Sequence, residues 1–198
     1  HTSLAQHTSH TPRGREPSSA TVHTEAFPAS QVLREIIVVD DGSEPPLEQQ
    51  WPRAAEYKVR FIRHNTTRGL MMAKQSGGDA AKGDVIVFLD CHVSPQPRWW
   101  EPMLAHVGAN SRRVVVPAIS HLDVGTWTEA GGGHVGAHSA CYLTFDAEFK
   151  WTSALSDAAW VPMMPGGLFG ISASFWAETG GYDAQMSGWG GENIDQSL

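Results

Sequence analysis

From residue 35 onward, short apolar runs closed by polar turn formers set the pattern of the chain. They are "EIIVVDDGS" (35–43), "YKVRFIRHN" (57–65), "GDVIVFLDCH" (83–92) and "RRVVVPAIS" (112–120). Each run is brief, rich in Val, Ile or Phe, and largely continuous, which suits central strands buried on both faces. Between them, residues 46–56, 70–81 and 98–110 are long enough for helices. Strand and helix in alternation predict an α/β layered fold, with a mostly parallel sheet flanked by helices. "GGLFGIS" (166–172) predicts a last strand, followed by a helix from near Ser174 and, after a Gly-rich loop, another from Glu192. Residues 120–165 are rich in Gly, Ala and Trp without a period, and read as a long irregular insertion. Residues 1–30, dominated by Ser, Thr, Pro and His, read as a flexible arm, leaving 31–198 as the folded unit.

Charge and composition narrow the partners. A net charge of −7 with no basic stripe argues against nucleic acid. A small anion remains compatible, because a bound cation offsets local charge. No apolar run is long enough to span a bilayer, so a membrane link would need an anchor outside these residues. Cys91 and Cys141 do not make a disulfide framework. Twenty glycines and eight tryptophans suit loops that approach a ligand and rings that wall it in; the rings equally suit a core.

In open α/β sheets, ligands bind beyond the carboxyl ends of strands. Asp40, Asp41, Asp90 and His92 fall at those ends. In extended backbone, residues two apart point to the same side. Asp90 and His92 then offer one carboxylate and one imidazole to a single cation, with positions left for phosphates. They also suit a plain polar strand end. Asp40-Asp41-Gly42-Ser43 offers acceptors to a base or ribose, or forms an Asx turn. In "WGGEN" (189–193) the glycines let backbone pass close to a ligand, Glu192 and Asn193 can meet sugar hydroxyls, and Trp189 gives an apolar face. The same segment also reads as the start of a helix.

Taken together and in this order, "EIIVVDDGS", "VRFIRHNTTRGLMMAKQSGGDAAKGDVIVFLDCHVSP", "WVPMMPGGLFGISASFWAETGGYD" and "WGGEN" resemble the polypeptide N-acetylgalactosaminyltransferases, which begin mucin-type O-glycosylation. The resemblance runs from about residue 21 to residue 198. It implies a GT-A, Rossmann-like catalytic domain that moves GalNAc from UDP-GalNAc to Ser or Thr of polypeptides, with retention. It implies Mn2+ on Asp90 and His92, with Glu192 completing the catalytic group. Asp40 or Asp41 would contact the uridine, and Gly166, Gly167, Glu192 and Asn193 would line the sugar pocket. Trp189 would stand near the diphosphate. Lys74 would take the place of an Arg that meets the sugar-diphosphate, keeping the charge but losing the planar fork. Asn193, where inverting relatives with "GGED" have Asp, cannot act as a base, which fits retention. Residence in the Golgi lumen, behind a type II membrane anchor, is also implied.

The sequence departs from the family where Thr67 and Met72 replace usual arginines and where "HTPRGREPSSA" stands in place of the first strand. The family's third metal ligand is a His beyond "WGGEN". A fragment of the catalytic domain is therefore expected. Two alternatives stay open: a non-catalytic fragment binding a UDP-sugar or a partner, and another GT-A enzyme of the β-1,4-galactosyltransferase kind. The latter would carry D-x-D and "GGED", against the D-x-H and "GGEN" found.

Overall fold

The structure is a computed structural model describing residues 4–5, 32–135, 140–146, 148–152, 160–161, 163–186 and 191–197. Its strands are β1 (Leu4–Ala5), β2 (Ile36–Asp40), β3 (Val59–Arg63), β4 (Val85–Phe88), β5 (Ala118–Leu122), β6 (Glu129–Val135), β7 (Ala140–Leu143), β8 (Phe149–Thr152) and β9 (Phe169–Ser172). The helices are α1 (Leu47–Gln50), α2 (Leu70–Ala80), α3 (Trp100–Ala109), α4 (Ala173–Thr179) and α5 (Glu192–Asp195), with a 3-10 turn over Ala54–Tyr57. Apart from β1, which pairs antiparallel with Ala118 and Ile119, the expected arm lies outside the described residues.

The first three apolar runs become β2, β3 and β4, as their composition predicts. β2 and β3 pair in parallel, Ile36 opposite Val59 through Asp40 opposite Arg63. β9 joins β4 antiparallel, Phe88 opposite Phe169, so the parallel arrangement belongs to β2 and β3. The fourth run divides. Val115 bridges Gly170, and Pro117, which has no N–H for a ladder, separates that bridge from β5.

The helix expected over 46–56 breaks in two at Trp51, which leaves the helical region (φ −132°, ψ 72°) ahead of Pro52; a following proline disfavours the helical conformation. Residues 120–165 correct the expectation of an irregular insertion. They hold two antiparallel pairs, β5 with β6 and β7 with β8. The glycines of β6 and a register shift between Ser120 and Leu122 hide the two-residue period that would have announced them.

The core gathers Met71, Ile86, Phe88, Met164, Phe169, Ile171, Trp176 and Tyr182. β9 is buried along its whole length, while β4 alternates, burying Ile86 and Phe88. The Phe88 and Phe169 rings stack at 4.5 Å, and Trp176 closes on Phe88 at 5.0 Å and on the edge of Tyr182 at 5.7 Å. Trp176 is the buried tryptophan among those described; Trp51, Trp127, Trp151 and Trp160 are exposed. α4 starts on the Ser172 hydroxyl, which accepts from the Phe175 N–H, and ends at Gly180 in the left-handed conformation.

α2 buries Met71, Lys74 and Gly78, one stripe of a helical face. Gly78 permits the contact with α4. A Cβ there would lie 2.5 Å from Cε2 and 2.6 Å from Cζ2 of Trp176, a rigid ring in the core. Overpacking of this kind costs about 1–3 kcal/mol, more than the roughly 1 kcal/mol that Ala gains over Gly in a helix. Gly78→Ala is therefore expected to lower the melting temperature by several degrees, at about 2–4 °C per kcal/mol for a chain of this size. A thermal melt equal to or above that of the parent would show that Trp176 yields freely.

Candidate functional site

The β2–β3 register places Asp40 beside Arg63, so the next residues along, Asp41 and His64, also leave the sheet side by side. Asp40 is enclosed, its side chain 2% exposed. It accepts from the backbone N–H of Ser43 (2.9 Å) and Leu47 (3.0 Å) and from Arg63 Nη1 (2.6 Å). Burial alone would push its carboxyl up. The Leu47 and Ser43 N–H groups and the Arg63 guanidinium outweigh that and hold it well below the ordinary carboxylate range.

Asp41, 21% exposed at its side chain, is held by α2 and the turn before it. It accepts from Arg68 N (2.9 Å) and Gly69 N (2.8 Å), at the positive end of that helix, and lies 2.6 Å from His64 Nδ1. Burial raises its carboxyl and these donors lower it, for a net value below the usual range. Gly69, at φ +90°, supplies the backbone turn that presents both N–H groups. His64 Nε2 meets Ser76 Oγ of α2 at 2.9 Å. Sequence reasoning missed Arg63, His64 and Ser76. The available signal was that two apolar runs of equal length end in complementary pairs, Asp-Asp and Arg-His.

A second cluster forms around residues 163–167. Lys74, buried on α2, donates its Nζ to the Gly166 carbonyl. Gly167 lies against Asp90. A Cβ on it would fall 2.6 Å from Asp90 Oδ2, so the missing side chain leaves room for that carboxylate. Asn193 is buried on α5 and donates its Nδ2 to Met163 Sδ at 3.5 Å; Ser197 Oγ accepts from Met164 N at 3.1 Å. Asp90, Lys74, Gly166, Gly167 and Asn193, expected from separate parts of the sequence, thus converge on one segment. α2 connects this cluster to Asp41 through Ser76. Trp189 lies outside the described residues, as does the side chain of Glu192, whose backbone opens α5.

The premise that Asp90 and His92 continue an extended strand is corrected. β4 ends at Phe88, where its partner β9 begins at Phe169, and Cys91 and His92 form a turn. Without a ladder partner past that point, the two-residue alternation stops. Asp90 is half-buried and His92 exposed, with Cys91 Sγ 3.9 Å from His92 Nδ1. Cys91 and the buried Cys141 are both free thiols, and burial pushes Cys141 up to about 12.

Among the described residues no group of three or more His, Cys, Asp or Glu converges, and no hydrogen-bond donor or cation meets the Asp90 carboxylate. A half-buried carboxylate that no described donor engages, and an imidazole two residues on, fit a divalent cation that keeps positions for other ligands. Among the described residues no helix is long and apolar enough to cross a membrane.

Residues 30–161 match the family model Glycosyl transferase family 2. The chain is 34% identical over 180 residues to the probable N-acetylgalactosaminyltransferase 9 of Caenorhabditis elegans, covering 85% of this chain and 31% of that protein. It is 34% identical over 191 residues to the polypeptide N-acetylgalactosaminyltransferase 11 of Xenopus tropicalis, covering 90% and 32%. It superposes on the crystal structure of GalNAc-T7 with UDP, GalNAc and Mn2+ at a TM-score of 0.70 and 25% identity, over 86% of this chain and 34% of that one. The chain therefore spans about a third of the length of the relatives it matches. Its α/β architecture is the GT-A fold, and by the family model the chain belongs to glycosyl transferase family 2.

Proposed function

We propose that residues 31–198 form part of the catalytic domain of a polypeptide N-acetylgalactosaminyltransferase. It would move GalNAc from UDP-GalNAc to Ser or Thr of a polypeptide, with retention and with Mn2+, in the Golgi lumen. The observation that carries this reading is the gathering of Asp90, Lys74 and Asn193 on residues 163–167, in a chain with the relatives named above.

Asp90 and His92 are the residues that would hold Mn2+, which when bound supplies Lewis-acid stabilisation of negative charge on the departing diphosphate. The chain's own groups do the positioning. Lys74 fixes the carbonyl of Gly166, and so the peptide that Gly167 shares with it. Gly167 leaves the space in which Asp90 stands. Gly166, Gly167 and Asn193 would line the sugar side, to which the family resemblance also assigns Glu192, with Trp189 assigned to the diphosphate. Asn193 cannot take a proton from the acceptor hydroxyl, which agrees with a retaining route. Of the acid pair, Asp41 is the member a uridine can reach, because Asp40 is enclosed and its oxygens are bonded to Ser43, Leu47 and Arg63.

Calorimetric titration of UDP with and without Mn2+, followed by incubation with UDP-GalNAc and a Thr-, Ser- and Pro-rich peptide, tests the reading. Mn2+-dependent UDP binding with transfer is expected. Binding without transfer would favour the non-catalytic fragment. UDP affinity indifferent to Mn2+ would remove Asp90 and His92 from the metal.

A further inference from the structure

We infer that His64 is a positioning residue for the nucleotide: its ring joins Asp41 to Ser76 and so fixes the uridine-side acid against the helix that carries Lys74. This rests on the reading of Asp41 as that acid. His64 is buried, with both ring nitrogens engaged, Nδ1 at 2.6 Å from Asp41 Oδ1 and Nε2 at 2.9 Å from Ser76 Oγ.

The ionised acceptor on one side assigns a proton to Nδ1, and in the neutral ring the Ser76 hydroxyl then donates to Nε2. The remaining donors to Asp41 are backbone N–H groups of Arg68 and Gly69, at the foot of α2. His64 is the described side chain that bonds the acid, and through Ser76 it reaches a point farther along the helix, two residues past Lys74. The two clusters of the site are therefore spaced by one imidazole. Thr67 reinforces the clamp by donating its hydroxyl to the Asp41 carbonyl at 3.0 Å.

The test separates the Asp41 contact from the mere filling of space. An Asn amide nitrogen stands where Nδ1 stands, whereas a Gln amide nitrogen reaches the place of Nε2 and comes closer to the imidazole in length. UDP is titrated against the whole 198-residue chain and its His64→Asn and His64→Gln forms at saturating Mn2+. The temperature is set below the lowest melting transition of the three. His64→Gln is expected to bind UDP about tenfold more weakly, and His64→Asn within about threefold of the parent, as one charge-assisted hydrogen bond implies. The ratio of affinities with and without Mn2+ is expected to stay the same in both. Equal binding by all three, equal weakening of both variants, or weakening of Asn alone would overturn the role of His64. A parent chain that binds no UDP would sink the nucleotide reading itself, and this inference with it.

Discussion

Asp90→Asn is expected to abolish the Mn2+ dependence of UDP binding and, where the chain turns over, to slow GalNAc transfer at least about 100-fold, the range seen when electrostatic stabilisation of a developing charge is lost. The substitution keeps the size of the side chain and removes its charge, and hard divalent cations choose carboxylate oxygen. Stability is expected to behave differently. Among the described residues no donor leans on this carboxylate, and the Cβ-free Gly167 beside it makes the space that an amide fills equally well. A half-buried charge without a partner costs desolvation, so removing it leaves the melting temperature unchanged or raises it. Loss of the metal effect with the fold intact is the signature sought. His92→Ala is expected to act in the same direction more weakly, since that ring is exposed. UDP binding by Asp90→Asn with the parent's Mn2+ dependence would remove the acid from the site.

The parts of this architecture that the sequence made legible are those whose chemistry is local. "EIIVVDDGS", "VRFIR" and "DVIVF" announce β2, β3 and β4 because apolar runs of that length have few other uses, and the acids that close the first and the third mark the ligand edge. α2 and α3 match their expected ranges to within two residues. What depended on partners far along the chain was hidden. β9 runs antiparallel to β4, a choice made by tertiary pairing across some eighty residues. Asp90 and His92 were expected on one side of an extended segment, but the ladder that would keep it extended stops at Phe88. The convergence of Lys74 and Asp90 on Gly166 and Gly167 was implied by family resemblance and has no signature in spacing. His64 follows from register: once β2 and β3 lie parallel with Ile36 opposite Val59, Asp41 and His64 must emerge together.

The same register makes Arg63 the residue whose loss should cost the fold most at this edge. Its Nη1 donates to Asp40 Oδ2 at 2.6 Å and to the Ser43 carbonyl at 2.9 Å, tying β3 to the loop that leaves β2; its Nη2 also meets Glu44, but that acid is exposed and the pair is screened. Arg63→Met keeps an apolar stem and leaves Asp40 enclosed without its cation, the case in which breaking an ion pair is far worse than never having built one. The melting temperature at neutral pH is expected to fall by on the order of 5–10 °C. The pH dependence fixes the cause. Asp40 titrates below its unfolded value of about 3.9, so its contribution is complete above that pH and is lost as the pH falls toward the folded value. The gap between the parent and Arg63→Met should therefore be widest near neutrality and narrow steadily below about pH 4. A gap of the same width at neutral and acid pH would mean that Arg63 supports the edge through packing of its stem, with the Asp40 charge irrelevant. No gap at all would mean that the N–H groups of Ser43 and Leu47 suffice to hold the buried carboxylate.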